Sequence, residues 1–283
     1  MKVVLFCGGQ GLRMRDITGV GADMPKPMVM LGARPLLWHL MKYYAHWGHK
    51  DFILCLGYKG ATIKQFFAQY EEWISNDFVV AGTGRTMELL SRDLADWRIT
   101  LVDTGMEANI GERLMAVKPL LKDEDVFLAN YSDALTDCPL PAVIDRLSTP
   151  GTVGACMVVR PNISLHFMHH DAAGRVTGVL TPEDADVWIN GGFFAFRREI
   201  FDYIRPGEEL VEQPFGRLIE AGKLAAHSYK GFWRACDTFK DLRTLESLLG
   251  QGPAPWELWR RAASAPDLDA AQPAAQLVLD PAE

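Results

Sequence analysis

Three glycines, two arginines and a lysine near the N-terminus carry the first recognisable chemistry. Gly8, Gly9 and Gly11 follow the apolar run Val3-Val4-Leu5-Phe6-Cys7, which reads as a buried first strand. Glycine lacks a Cβ, so a backbone rich in it turns sharply and lets a ligand approach closely. Successive amides in such a turn form an anion-binding concavity. Arg13 and Arg15 add guanidinium forks whose shape suits phosphate oxygens. Lys26 lies between Pro25 and Pro27, and prolines fix φ and bias the preceding residue towards extended backbone. The stretch reads as a polyphosphate cradle: amides first, then arginine, then a lysine on a stiff backbone.

Other readings of the loop are weaker. Gly9-Gln10-Gly11-Leu12-Arg13-Met14 lacks the third glycine of a dinucleotide-binding turn, and the second strand ends Cys55-Leu56-Gly57-Tyr58 with no acid for a ribose. No Gly-Lys-Ser/Thr follows at P-loop spacing. An ordinary glycine-rich turn remains, and the lysine between prolines weighs against it.

Two carboxylates are the other candidates. Asp133 follows an apolar strand in Asn130-Tyr131-Ser132-Asp133, at the rim where α/β sheets bind ligands. An oxygen ligand there suits Mg²⁺, whereas the bland alternative is a turn cap. Asp237, in Trp233-Arg234-Ala235-Cys236-Asp237-Thr238, has the same two readings: a metal carboxylate or an N-cap for the helix after it. Each is expected to follow a strand and precede a helix, in a parallel arrangement at one sheet edge. Asn190-Gly191-Gly192 interrupts an apolar strand with an amide and two residues lacking Cβ, which fits close ligand approach or a bulge.

The residues now carry a resemblance. Residues 6–28 resemble the G-G-x-G-x-R…K-P-M signature of the sugar-1-phosphate nucleotidylyltransferases. Trp38-His39-Leu40-Met41-Lys42-Tyr43-Tyr44, residues 51–60 and 99–105, and Ile189-Asn190-Gly191-Gly192-Phe193-Phe194 resemble the CTP-using branch, the glucose-1-phosphate cytidylyltransferases. The resemblance spans about residues 1–260. It implies catalytic Arg13, Lys26, Asp133 and Asp237, with Asp133 and Asp237 holding Mg²⁺. It implies nucleotide contacts from Cys7, Gly8, Gly9, Gly11, Leu12, Arg13, Lys26, Thr104, Arg113 and Ser132, and sugar-phosphate contacts from Asn190 and Gly191. The implied reaction joins CTP and a sugar 1-phosphate, giving a CDP-sugar and pyrophosphate. UTP or dTTP as donor, or a regulatory paralogue without turnover, are the alternatives. Three departures stand out. Leu12 replaces the usual Thr before the loop arginine. Ser132 and Ala134 replace both glycines of Tyr-Gly-Asp-Gly. Leu180-Thr181-Pro182-Glu183 occupies the place of Glu-Lys-Pro, whose lysine holds the acceptor phosphate. Weak or no activity with glucose 1-phosphate is expected, or compensation by an arginine such as Arg160 or Arg175.

These residues need a scaffold, and 283 residues suffice for a large buried α/β core. Apolar residues make up 48% of the chain and no run approaches a membrane span. The N-terminus enters a strand at once, without a leader pattern. Cys7, Cys55, Cys138, Cys156 and Cys236 are odd in number and scattered, which argues for a reducing cytoplasm. A net charge of −7 disfavours nucleic acid as a partner. The expected partners are CTP and a sugar 1-phosphate, with no membrane, and the chain is expected to form a homo-oligomer.

Helical periodicity predicts helices over 35–47, 61–73, 210–221 and 239–249. Strands are expected over 51–56, 78–81, 86–90, 98–102, 125–128, 152–160, 165–170, 175–180, 187–196 and 224–229, with a hairpin at Asp171-Ala172-Ala173-Gly174. The expected fold is a three-layer α/β sandwich on a mixed, mainly parallel, Rossmann-like sheet. A single domain is expected over 1–260, a smaller β-rich acceptor lobe over about 150–200, and a disordered tail over 261–283. His39, His46 and His49 read as packing or surface residues. His166, His169 and His170 suit alternating strand faces better than a metal site.

Overall fold

Alternation along the first strand builds the layers. In β1 (Lys2–Phe6), Val3 and Leu5 point to one face of the sheet and Val4 and Phe6 to the other, all essentially buried. The structure, a computed structural model, describes residues 1–9, 24–82, 86–161, 166–182, 184–263 and 275–278. β1, β2 (Asp51–Leu56), β3 (Arg98–Asp103), β4 (Val126–Asn130), β5 (Gly154–Val159), β6 (Ile189–Arg197) and β7 (Leu224–Tyr229) form one seven-stranded sheet, in the order β7-β5-β6-β4-β1-β2-β3. Every neighbouring pair is parallel except those of β6, which runs antiparallel to β4 and β5. The sheet is therefore mixed and mainly parallel.

The α-helices of the described residues are α1 (Leu36–His46), α2 (Gly60–Ala68), α3 (Ile110–Val117), α4 (Leu140–Ile144), α5 (Gln213–Glu220), α6 (Phe239–Leu249) and α7 (Leu258–Ala263). On one face Val3 and Leu5 join a core with Leu37, Leu40 and Tyr44 of α1, Val143 of α4 and Leu245 of α6. On the other, Val4 and Phe6 join Leu114 and Val117 of α3 and Leu218 of α5. Each such side chain contributes about 1.5–3 kcal/mol on burial.

Some expected elements move. α2 stops at Ala68 and a 3-10 turn, Glu72–Ile74, follows it, which leaves Trp73 exposed. Tyr70 is drawn away from the helix line because its hydroxyl accepts from Trp38 Nε1 (2.7 Å) and donates to Asp93 (3.1 Å). α5 begins at Gln213 because Pro214 is tolerated in a first turn and not inside a helix. The strands bounding the expected acceptor lobe, β5 and β6, lie in the central sheet. What stands apart is the hairpin of Phe167–His170 with Val176–Leu180. In the tail, α7 and a strand at Ala275–Val278 are regular, the latter pairing antiparallel with Thr86–Leu89. An edge strand offers unpaired main-chain groups that a second segment satisfies.

His39 illustrates how the core sets a protonation state. It is 4% exposed, and Trp256 Nε1–H donates to its Nδ1 (3.3 Å) while its own Nε2–H donates to the Leu31 carbonyl (2.9 Å). Burial, with the nearby charge of Arg260 assisting, pushes its pKa down to about 4. The unfolded chain takes up this proton near pH 6.5, before the folded one does, so stability is complete above that pH and falls as pH drops towards 4. Between pH 7 and pH 5 this contributes a loss of about 2 kcal/mol. Urea midpoints across that range should fall more steeply for the native chain than for His39→Gln; equal slopes would rule the assignment out.

Candidate active site

The C-terminal ends of β1, β2 and β3 are tied together beyond the strands themselves. Cys7 N–H donates to Cys55 O (2.9 Å), Tyr58 N–H to Gly8 O (3.1 Å), and Thr104 N–H to Leu56 O (2.9 Å). Arg113, one turn into α3, closes this knot. Its Nη1 donates to Leu56 O (3.1 Å), Thr104 Oγ1 (2.8 Å) and Gly105 O (2.9 Å), and its Nη2 to Gly8 O (3.2 Å) and Met106 O (3.3 Å). The residue is 3% exposed, so it is no solvated helix charge. The Thr104 hydroxyl also donates to Leu56 O (2.8 Å). Both side chains expected to reach a nucleotide thus brace the strand ends at Gly8, Leu56 and Gly105. A Cβ at Gly8 would lie 2.0 Å from Arg113 Nη1, so a larger residue displaces the guanidinium from these bonds. Gly9 is exposed at the lip. Gly11, Leu12 and Arg13, assigned from the sequence to nucleotide contact, lie outside the described residues.

Cys7 and Ser132 face each other across β1 and β4, with the thiol donating to Ser132 Oγ (3.4 Å). Burial pushes the Cys7 thiol up to about 12, so it stays protonated and packs rather than reacts. Ser132 holds a left-handed φ of 65°. The glycine of the resembled motif would accept that conformation freely, whereas a side chain costs about 1–2 kcal/mol. Ser132 N–H donating to Asn130 Oδ1 (2.7 Å) supplies compensation.

Tyr131, not among the residues singled out from sequence, shapes the opposite wall. Its hydroxyl accepts from Asn190 Nδ2 (3.1 Å) and its ring covers Gly192, where a Cβ would lie 2.8 Å from Cδ2. Gly192 has φ of +78°, and its N–H donates to Asn190 Oδ1 (2.9 Å). Trp233 Nε1 donates to Gly191 O (2.8 Å). The Asn-Gly-Gly segment is thus both a bulge, where the β5–β6 register shifts, and a closely approached strap. The sequence signal was available: a tyrosine two residues before Asp133, directly after the apolar strand.

Asp133 and Asp237 meet by a route the sequence reading did not anticipate. Asp133 precedes a short strand, Ala134–Thr136, rather than a helix, and this strand pairs antiparallel with Trp233–Ala235. Cys236 N–H then donates to Asp133 O (2.8 Å), which brings the two acids to one end of that ladder. Capping does not account for Asp237. Thr238 is the N-cap of α6, in a reciprocal box with Asp241. Lys26, in a 3-10 turn between its prolines, donates to Asp133 Oδ2 (2.9 Å) and Asp237 Oδ1 (2.5 Å). Burial opposes its charge, but the two carboxylates outweigh it and its pKa stands above the ordinary value. Two carboxylate oxygens converging on one cation fit Mg²⁺, which binds through one or two carboxylates and completes its shell with water and phosphate. No group of three potential metal-binding side chains occurs among the described residues.

Of the two arginines expected to compensate for the absent lysine, Arg175 is 82% exposed and pairs with Asp171 (3.1 Å) across its own hairpin turn. Arg160 follows β5, where Val158 is in register with Asn190. It donates to Asp186 (2.5 Å) and Val187 O (3.2 Å) and stacks 4.3 Å over Trp188. Thr181 Oγ1 donates to Asp184 (2.7 Å). His169 and His170 lie exposed on the hairpin.

No protein-family model matches the chain. The glucose-1-phosphate cytidylyltransferases of Salmonella typhi and Salmonella typhimurium are each 36% identical to it over 260 residues, covering 92% of this chain and all of theirs. The crystal structure of HddC from Yersinia pseudotuberculosis superposes with a TM-score of 0.60 at 17% identity, covering 87% of this chain and 98% of that one, a likeness of fold. By this full-length identity the chain belongs to the glucose-1-phosphate cytidylyltransferase family.

Proposed function

We propose that the chain transfers the cytidylyl group of CTP to a sugar 1-phosphate. An oxygen of the sugar phosphate attacks the α-phosphorus, the bond to the β-phosphate breaks in line, and pyrophosphate leaves. The observation that carries this reading is the convergence of Asp133 and Asp237 on the Lys26 ammonium, next to Ser132, which meets Cys7 at the end of β1. No protein nucleophile is required, so the work is positioning and charge neutralisation. Mg²⁺ held by Asp133 and Asp237 would supply charge neutralisation between α-phosphate and acceptor. Lys26 meets the charge that develops on the α-phosphate. Gly8, Gly9 and Gly11, with Arg13, cradle the β- and γ-phosphates, while Arg113 fixes the start of the loop at Gly8 and is itself braced by Thr104. The Asn190-Gly191 strap, braced by Tyr131 and Trp233, receives the sugar phosphate. Cys7 and Ser132 line the floor between loop and metal site, and Leu12 stands where a hydroxyl contact is expected.

This reading includes a homo-oligomer, supported by Val79, Val80 and Leu90, exposed on or beside the small outer sheet. It includes a cytoplasmic setting, supported by five free cysteines, all buried. No helix of the described residues is long and apolar enough to cross a membrane.

The test is pyrophosphate release across four nucleoside triphosphates and a panel of sugar phosphates. CTP should be preferred, because a site whose buried polar groups match one base leaves them unpaired with another. Equal turnover with UTP would remove the base assignment. With Thr181 in the lysine position, glucose 1-phosphate should be used weakly, or Arg160 should carry its phosphate. In the second case Arg160→Ala raises the acceptor KM by about tenfold with little change in kcat. Threonine in place of the acceptor lysine favours one rival, a nucleotide-binding regulatory paralogue. Binding of CTP without pyrophosphate release from any pair would select it.

A further inference from the structure

Lys26 occupies the position from which both carboxylates are reached. Its ammonium has three donors, and two of them point at Asp133 and Asp237, at 2.9 and 2.5 Å. Magnesium binds its carboxylate oxygens at about 2.0–2.1 Å, so a divalent ion between these acids would lie within contact range of the ammonium. Two cations at that separation repel strongly, and the same oxygens cannot serve both well. The lysine is also the inner member of the triad, with its side chain 14% exposed against 31% for Asp133 and 39% for Asp237. Solvent therefore reaches the carboxylates more readily than it reaches the ammonium. The prolines hold the backbone of Lys26, while four side-chain torsions remain free to swing the head group.

We propose that Lys26 is the resident counter-cation of Asp133 and Asp237, and that it gives up these carboxylates to a divalent ion only when the nucleotide's α-phosphate offers it another anion. This rests on the nucleotidyl-transfer reading and adds an order of events to it. Without nucleotide, Lys26 offsets part of the pair's negative charge, occupies the oxygens a metal would use, and suppresses metal binding. With nucleotide, the phosphate draws the ammonium away and frees both acids. Metal and nucleotide affinities are then coupled, each raising the other by the same factor.

The experiment titrates the full chain with Mn²⁺ alone, without nucleotide, and reads free Mn²⁺ by electron paramagnetic resonance. Lys26→Met removes the ammonium and should bind Mn²⁺ at least about tenfold more tightly than the native chain, the scale of one allosteric coupling step. Adding Asp133→Asn to that variant should abolish the gain. Lys26→Arg, which keeps a cation, should bind as weakly as the native chain. Lys26→Gln replaces the methionine variant if circular dichroism shows the latter unfolded. Equal Mn²⁺ affinity in the native and neutral variants, or a gain that survives Asp133→Asn, would overturn the proposal. Turnover plays no part in this readout. A chain that releases no pyrophosphate yet shows the Mn²⁺ gain refutes the activity and keeps the exchange; the converse keeps the activity and refutes the exchange.

Discussion

Asp237→Asn should lose at least about a hundredfold in turnover, the scale expected when a principal electrostatic element of a site is removed, and should melt close to the native temperature. The structure separates these two effects. If Asp237 capped α6, asparagine would cap about as well, and activity would survive. Thr238 and Asp241 perform the capping instead, and that box is untouched by the change. What Asp237 does is place a carboxylate oxygen beside that of Asp133, with Lys26 between them. An amide accepts a hydrogen bond from the lysine but binds Mg²⁺ poorly. The ion pair is partly open to solvent, so its loss costs no more than about 1 kcal/mol of stability. Asp133→Asn should behave alike. The double variant should be little worse than either single one, because the two oxygens act as one unit. Mg²⁺-dependent pyrophosphate release and a melting curve check this, and retained turnover in Asp237→Asn would reject the site.

The second large effect is expected at Arg113. Arg113→Met keeps the length of the side chain and removes every donor, leaving the carbonyls of Gly8, Leu56, Gly105 and Met106 without their shared partner. Leu56 O and Gly8 O keep their donors from Thr104 and Tyr58, and Gly105 and Met106 are exposed, so the cost is that of the lost hydrogen bonds themselves, about 0.5–1.5 kcal/mol each. A total loss of about 3 kcal/mol is expected in urea denaturation, together with weakened CTP binding as the loop walls separate. Gly8→Ala should produce the same binding defect from the opposite side, because its methyl group enters the space of the guanidinium. Were Arg113 a solvated charge, the change would stay within about 0.5 kcal/mol. Near-native stability with near-native CTP affinity in Arg113→Met would exclude the clamp.

Much of the scaffold was legible in the chain itself. Val3 to Phe6, Leu36 to His46 and Asp51 to Leu56 carry periodic burial patterns strong enough to place strand, helix and strand within a residue or two. Boundaries failed where a single side chain found a distant partner. Tyr70 leaves the line of α2 for Trp38 and Asp93, which no local pattern encodes. Strand pairing within 150–200 was hidden for a related reason. The strands there read as β, but only pairing decides that β5 and β6 join the central sheet while the hairpin stands apart.

For the site, residue types determined what chemistry is available: a glycine turn at a strand end, a lysine stiffened by prolines, and two acids past apolar strands. Those are local properties, set by backbone freedom and charge, and they survive without knowledge of any contact. The tertiary structure alone decided which groups share a cation and which serve as scaffold. Arg113 looks like any helix charge until three loop ends surround it with carbonyls, and Asp237 looks like a cap until Thr238 takes that role. Asp133 and Asp237 meet because Ala134–Thr136 pairs with Trp233–Ala235, a register set by main-chain hydrogen bonds between segments distant in sequence.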